Sequence, residues 1–232
     1  MTGEPLKSEK LRPSKALLER FAAHDVAKLS DSMGKYGALR SNIKPLSDAM
    51  RVCGPALTVK SMPGDPSWVD LIAEVAQAGD VVVVAADEIE DLMIADKAVC
   101  DRLKALGIAG LVADGALADK QTFIEKGLPA FVICTTQRRL YKQDGATVNE
   151  PICCSGMIVC PGDLIVGDSD GVVVVPGYDL ERVIELADRQ LQKELRNRSV
   201  LMTGVSPREY YGFEAKMDKW REALQNQERK GL

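Results

Sequence analysis

Between residues 79 and 134, short β-branched runs alternate with amphipathic segments that end in glycine, and this order restricts the fold more than any other feature. The runs VVVVAA, AGLVAD and LPAFVIC have the composition of buried strands. The helical patterns ADKAVCDRLKALG and DKQTFIEKG lie between them and close at Gly107 and Gly127, the residue type that commonly ends a helix. This alternation predicts an α/β fold.

The flanking segments add helices before this region and strands after it. Residues 14–34 carry apolar groups at helical spacing and predict one or two helices that stop at Gly34. MRVCGPALTVKSM reads as a strand, and WVDLIAEVAQAG after it reads as a helix. MIVCPGDLIVGDSDGVVVVP predicts three short strands separated by two turns, so a β-rich half follows the α/β half.

The C-terminal part predicts helices with more apolar surface than a lone terminal helix normally leaves in water. One amphipathic helix is expected from Asp179 to Arg198, and another after Gly204 that runs through Trp220 to the end. We expect a domain over residues 1–200 and a helical arm over residues 201–232. The arm is expected to pack on a neighbouring subunit; docking on its own core is the alternative.

Composition excludes several classes of protein. The formal net charge is -4 and no basic block is long enough to follow a phosphate backbone, so no nucleic-acid partner is expected. No apolar run approaches 18 residues, so we expect no membrane span and a cytoplasmic protein. The six cysteines lack C-x-x-C spacing and read as reduced, buried hydrophobes. The single histidine, His24, rules out a two-histidine mechanism.

Ordered landmarks along most of the chain resemble the RraA-like family, which includes the 4-hydroxy-4-methyl-2-oxoglutarate aldolases. The resemblance implies an α-β-β-α sandwich of the swivelling β/β/α type, assembled as a homotrimer or homohexamer with sites between subunits. The landmarks are LSDSMG at 29–34, GPALTV at 54–59, AGDVVVV at 78–84, GIAGLVADGALAD at 107–119, GLPAF at 127–131 and PGDLIVGDSDGVVVVP at 161–176.

The resemblance also implies a chemistry. Aldolases of this family cleave small oxoacids to pyruvate and a second oxoacid, decarboxylate oxaloacetate, and use magnesium or manganese. Their signature is an Asp or Glu, twenty intervening residues, then Arg-Asp. The metal-binding Asp falls on Asp119, but the Arg position is Ala118, the earlier acid is Lys97 and the glycine before it is Asp96. Two of the three signature residues are therefore altered.

Each position at this implied site keeps a second interpretation. Asp119 binds the metal or caps the helix that follows it. The backbone N–H groups of Ala98 and Val99 would hold a substrate carboxylate, unless the Asp96 side chain caps them. Lys97 is a solvated residue, a replacement for the missing arginine cation, or a Schiff-base nucleophile. The remaining candidate, Arg138, supplies a cation from the loop after PAFVIC or is simply solvated.

Three functions follow from these alternatives. The first is a metal-dependent carbon–carbon lyase, an aldolase or decarboxylase acting on a small oxoacid. The second is a diverged enzyme that uses Lys97 and Asp119 on a different small substrate. The third is a non-enzymatic regulatory or binding protein, since some members of the family inhibit a ribonuclease complex.

Overall fold

The computed structural model describes residues 12–62, 64–139 and 145–229. The first eleven residues of the expected domain and the last three of the expected arm lie outside these ranges. Within them the helices, in chain order, are α1 Lys15–Ala22, α2 Val26–Ser32, α3 Trp68–Ile72, α4 Lys97–Ala105, α5 Lys120–Glu125, α6 Leu180–Leu201, α7 Pro207–Tyr210 and α8 Phe213–Arg229.

Nine of the strands in the described residues form one mixed sheet, and β8 and β9 form a separate hairpin. Neighbours β2, β3, β5 and β6 run parallel, while β10 joins β2 and β11 in antiparallel pairs. The strands are β1 Lys44–Pro45, β2 Val52–Ser61, β3 Val81–Ala85, β4 Met93–Ala95, β5 Gly110–Leu117, β6 Ala130–Thr135, β7 Ala146–Val148, β8 Ile152–Cys154, β9 Met157–Val159, β10 Leu164–Gly167 and β11 Val172–Val175.

Two apolar cores lie on opposite faces of this sheet. Alternate residues of β10 separate into them: Ile165 joins the larger core, whereas Leu164 and Val166 join the smaller one. Because strand side chains alternate between faces, one strand contributes to both cores. The larger core also takes side chains from α3, α4 and α5, and the smaller takes them from α1, α2 and α6. Helices outside and strands inside confirm the expected α/β sandwich.

Buried aspartates fix the turns of the antiparallel part. Asp168 accepts hydrogen bonds from Val26 N at 3.0 Å and from Asp170 N at 2.9 Å. It therefore holds both its own turn and the first N–H of α2. Asp163 similarly accepts from Cys160 N and Gly177 N, and burial raises the pKa of its carboxyl. The two predicted turn sequences thus owe part of their geometry to side chains that satisfy buried N–H groups.

Several sequence expectations need correction. The expected helix over WVDLIAEVAQAG is shorter, because α3 ends at Ile72. Asp114 and Gly115 form a dipeptide typical of turns, but they lie inside β5, at an irregularity in its pairing with β6. Strand β4 was not predicted: three apolar residues resemble the start of the helix that follows.

Contacts divide the chain into two compact units between Ala187 and Asp188. All the hydrophobic side chains that are buried among the described residues belong to the first unit. No helix in the described part of the chain combines the length and apolar character needed to cross a bilayer.

Candidate functional site

The candidate site begins where two parallel strands end side by side. β4 ends at Ala95 and β5 at Leu117, and Ala118 N donates to the Ala95 carbonyl at 2.9 Å. Asp96 directly follows β4, and Asp119 is the second residue after β5, so both emerge at the same edge of the sheet. Ligand sites of parallel α/β sheets commonly lie at this carboxyl edge. The name α4 entrance is used for the five residues at this edge: Asp96, Lys97, Ala98, Val99 and Asp119.

Asp96 caps helix α4. Its backbone is extended, and its Oδ1 accepts hydrogen bonds from Ala98 N at 2.9 Å and Val99 N at 3.1 Å. These are the donors expected to hold a substrate carboxylate. The structure therefore agrees with the interpretation of Asp96 as a helix cap. A ligand carboxylate would have to compete with the Asp96 side chain for these N–H donors.

Asp119 also faces the start of α4. Its Oδ2 accepts from Lys97 N at 3.1 Å, and its side chain makes no capping hydrogen bond to α5, the helix that it precedes. Its backbone adopts φ 55° and ψ 39°, a left-handed conformation that Asp tolerates better than most residues. Asp119 therefore occupies the N-cap position of α5, as the capping interpretation expects, but its side chain does not cap that helix. Together Asp96 and Asp119 place two carboxylates at the positive end of one helix.

Exposure separates the remaining predicted residues. Lys97 and Ala98 are exposed on the first turn of α4, and it is the backbone N–H of Lys97 that donates to the Asp119 carboxylate. Val99 is only 2% exposed and belongs to the larger core. Ala118 is 1% exposed and supplies neither charge nor a reachable polar side chain. Lys97 is thus the cation that the structure places at the α4 entrance.

Arg138 lies on the loop after β6, where it closes another contact. Its guanidinium pairs with Asp91, with Nη1 and Oδ2 3.0 Å apart, and its carbonyl accepts Met93 N at 2.9 Å. The residue therefore ties the loop after β6 to the segment before β4. Its charge is directed at Asp91.

The donors at the α4 entrance do not fit a tightly held divalent cation. Magnesium prefers several hard oxygen ligands or ordered waters held by nearby acids. Here one Asp119 oxygen accepts the Lys97 N–H, Asp96 is engaged by the helix, and the neighbouring ammonium is repulsive. Within residues 12–62, 64–139 and 145–229, no three His, Cys, Asp or Glu side chains are grouped as metal ligands.

A second polar cleft, which the sequence did not reveal, lies beyond the carboxyl ends of β2 and β3. It encloses about 460 Å³, and Lys60 forms an ion pair with Asp87 on its wall. Asp87 and Glu88 are consecutive residues with φ values of 56° and 57°, a conformation that costs free energy in residues other than glycine. The residues that line this Lys60 cleft are Lys60, Asp87, Glu88, Asp114, Thr147, Glu150, Pro151, Ile152 and Cys153.

Asp114 is a buried carboxylate that lines the Lys60 cleft. This carboxylate is 1% exposed and accepts hydrogen bonds from Ala86 N and, at 3.0 Å, from Ser155 N. Burial raises the pKa of Asp114, and the two N–H donors oppose that shift. The glycines of the Asp114-Gly115 and Ser155-Gly156 dipeptides allow the backbone to approach a neighbouring group closely. The two dipeptides come together only through pairing between segments that are distant in the sequence, and no local pattern encodes that pairing.

The layered sheet, its outer helices and a charged site at the carboxyl edge define an α/β-sandwich protein with features of a small-molecule site. The sequence profile of the RraA-like family, described as Aldolase/RraA, matches residues 26–174. The chain belongs to this family. A relative from Halalkalibacterium halodurans, provisionally named a 4-hydroxy-4-methyl-2-oxoglutarate aldolase, is 38% identical over 78% of this chain and 87% of its own length.

Solved structures agree with this assignment. Streptomyces coelicolor RraAS2, titled an unusual member of the RNase ES inhibitor RraA protein family, superposes with a TM-score of 0.71 and 28% identity. The match covers 81% of this chain and 98% of that one. An uncharacterised protein from Pseudomonas syringae gives a TM-score of 0.72 and 27% identity, over 85% and 98% of the two chains.

Proposed function

We propose that this protein is a lyase that acts on a small oxoacid at the α4 entrance and releases pyruvate or a similar product. The observation that carries the proposal is the meeting of Lys97 and Asp119: the Asp119 carboxylate accepts the Lys97 N–H, and both side chains are exposed at the carboxyl edge of β4 and β5. The names of the relatives support the class of substrate.

Lys97 takes the role of the missing arginine in this proposal. Its ammonium offers a point charge rather than a planar fork, so it can bind a carboxylate or an enolate oxygen without bidentate geometry. Because Asp96 already occupies the Ala98 and Val99 donors, the substrate carboxylate relies on Lys97 for its main contact. An exposed lysine on the first turn of a helix also adds to the positive potential of the helix terminus.

The aldol cleavage can then proceed with the protein's own groups. For a 4-hydroxy-2-oxoacid, the Asp119 carboxylate removes the proton of the C4 hydroxyl. The C3–C4 bond breaks as C4 becomes a carbonyl, and the electron pair forms the enolate of the pyruvate fragment, which Lys97 stabilises. Asp119 returns the proton to C3 of that enolate. Protons and electrons balance without an added reductant or oxidant.

Release of pyruvate from 4-hydroxy-4-methyl-2-oxoglutarate and from oxaloacetate tests this proposal. Turnover should persist in a chelator and change little when magnesium or manganese is added, because the donor set does not fit a resident metal. Asp119→Ala should lower kcat for aldol cleavage by about 10²–10⁴-fold, a range typical of general acid–base catalysis. Lys97→Ala should lower kcat/KM by about 10–100-fold, the loss expected for a charge-assisted contact.

Two controls make the assay specific. Lys97→Arg keeps the charge and should retain much of the activity, whereas Lys120→Ala removes an exposed lysine from the equivalent first position of α5 and should have no effect. Strict dependence on added metal would contradict the metal-free scheme. Absence of turnover with both substrates would contradict the lyase proposal itself.

A non-enzymatic binding role is the second candidate, and one observation favours it. Every N–H that the first turn of α4 was expected to offer to a ligand, together with that of Lys97, is hydrogen-bonded to Asp96 or Asp119. A regulatory member of the family would need no free anion site there. Neither oxoacid should then be turned over, and calorimetry should detect no pyruvate binding at millimolar concentrations.

A further inference from the structure

Helix α8 carries an apolar stripe that the described part of the chain leaves largely exposed. Its members, Phe213, Met217, Trp220 and Leu224, are called the α8 stripe. Trp220 is 58% exposed and Phe213 is 49% exposed. Among the α8 side chains described, which extend to residue 226, none is buried. Large aromatic groups exposed on one helix face commonly mark an interaction surface.

The spacing of the stripe identifies the kind of surface that would cover it. Its intervals of four, three and four residues are those of a heptad repeat, with Met217 and Leu224 at a positions and Phe213 and Trp220 at d positions. A stripe of this kind fits against another helix with the same repeat. A second copy of α8 supplies such a helix.

The flanking charges select the orientation. Glu214 and Arg221 occupy successive e positions, which face each other across an antiparallel pair of helices. A two-fold axis between them brings each Glu214 opposite Arg221 of the second copy, twice in one interface. In a parallel pair, Lys216 at g would instead face Arg221 at e, and like charges oppose association.

Among the described residues, Glu214 and Arg221 form exposed ion pairs within one chain. Glu214 pairs with Arg208, and Arg221 Nη1 lies 2.9 Å from Asp218 Oδ1. Exposed ion pairs contribute about 0–1 kcal/mol, so exchanging them for pairs across an interface costs little. The profile match to the family ends at residue 174, so this surface lies outside the matched region.

We propose that the α8 stripe docks antiparallel on the α8 stripe of a second copy of this chain. The interface contributes an association beyond any made by the family domain. It sharpens the expectation of an arm that packs on a neighbouring subunit, because it specifies the partner helix, its direction and the charge pair.

Mass measurement of full-length charge variants tests this interface. Glu214→Arg and Arg221→Glu each place like charges across both e–e′ contacts, so each variant alone should have half the wild-type mass by light scattering. In a mixture of the two variants, one copy carries two positive e positions and the other carries two negative ones. Both contacts then pair opposite charges, and the wild-type mass should return. The double variant Glu214→Arg/Arg221→Glu should regain it without mixing.

The matched control is Glu222→Arg, which makes the same charge change at an f position, away from the stripe. It should keep the wild-type mass, and circular dichroism should show that all variants retain their helix content. Wild-type mass in both single variants would overturn the proposal, because the stripe would then be covered in another way. Failure of the mixture to restore the mass, after both singles had lost it, would overturn the antiparallel arrangement.

Discussion

The Asp114 carboxyl is buried and accepts hydrogen bonds from two backbone N–H groups. Its titration should therefore affect the pH dependence of the free energy of unfolding. Burial raises the pKa of Asp114 in the folded protein, so the folded protein binds the carboxyl proton of Asp114 more tightly than the unfolded chain does. The stabilisation from this group is therefore complete below the unfolded value of about 3.9 and is lost as the pH rises through the folded value. The free energy of unfolding should therefore contain a contribution from Asp114 that falls as the pH rises.

Asp114→Asn tests that dependence. The variant should lose about 1–3 kcal/mol, because one of the Ala86 and Ser155 N–H groups loses its acceptor. The difference in unfolding free energy between the wild type and the variant should shrink as the pH rises from about 3 to about 7. Urea unfolding at several pH values measures it, with exposed Asp101→Asn as the reference for a carboxylate on α4. A difference that grows with pH would contradict the assigned sign.

At the start of α4, Asp96 stabilises the helix by occupying N–H donors that a ligand carboxylate would otherwise use. Asp96→Ala should destabilise the protein by about 1 kcal/mol through loss of the cap, and should free the N–H groups of Ala98 and Val99. Pyruvate and oxalate should then bind more tightly, because a carboxylate can take the place of the missing cap. Titration calorimetry reports the affinity and urea unfolding reports the stability.

Ser14→Ala provides the matched control for this experiment. Ser14 caps α1 by accepting Leu17 N at 3.2 Å, so its loss should cost a similar free energy without changing carboxylate affinity. An Asp96→Ala variant that binds pyruvate no better than the wild type would show that the first turn of α4 is not an anion contact.

The sequence predicted these elements unevenly, and the causes are physical. The strands β3, β5 and β6 are buried apolar runs between glycine-closed helices, so local pattern suffices for them. Strands β4 and β7 have only three residues each, and they are strands because β4 pairs with β5 and β7 pairs with β2. Lys97 and Asp119 were found through motif spacing. The Lys60 cleft was missed because its members lie far apart in sequence and meet only after the parallel strands align.

The distribution of buried apolar groups predicts how the whole molecule responds to loss of its arm. The last buried hydrophobic residue among those described is Ala187, and α7 and α8 contribute none. Removal of residues 205–232 should therefore change the free energy of unfolding at low protein concentration by only about 0.5 kcal/mol, the range of ordinary surface changes. Release of pyruvate from oxaloacetate should also be retained.

The same truncation separates the two ways in which the α8 stripe could be covered. If it packs on a second copy, the truncated protein should have half the wild-type mass, and full-length Trp220→Ser should match it in both mass and unfolding free energy. Because association stabilises a folded protein by mass action, the melting temperature of the full-length chain should depend more steeply on its concentration than that of the truncated chain. A loss of several kcal/mol at unchanged mass would instead show that the arm docks on its own domain. Chemical unfolding at two concentrations, combined with light scattering, distinguishes these outcomes because docking within one chain adds no concentration dependence.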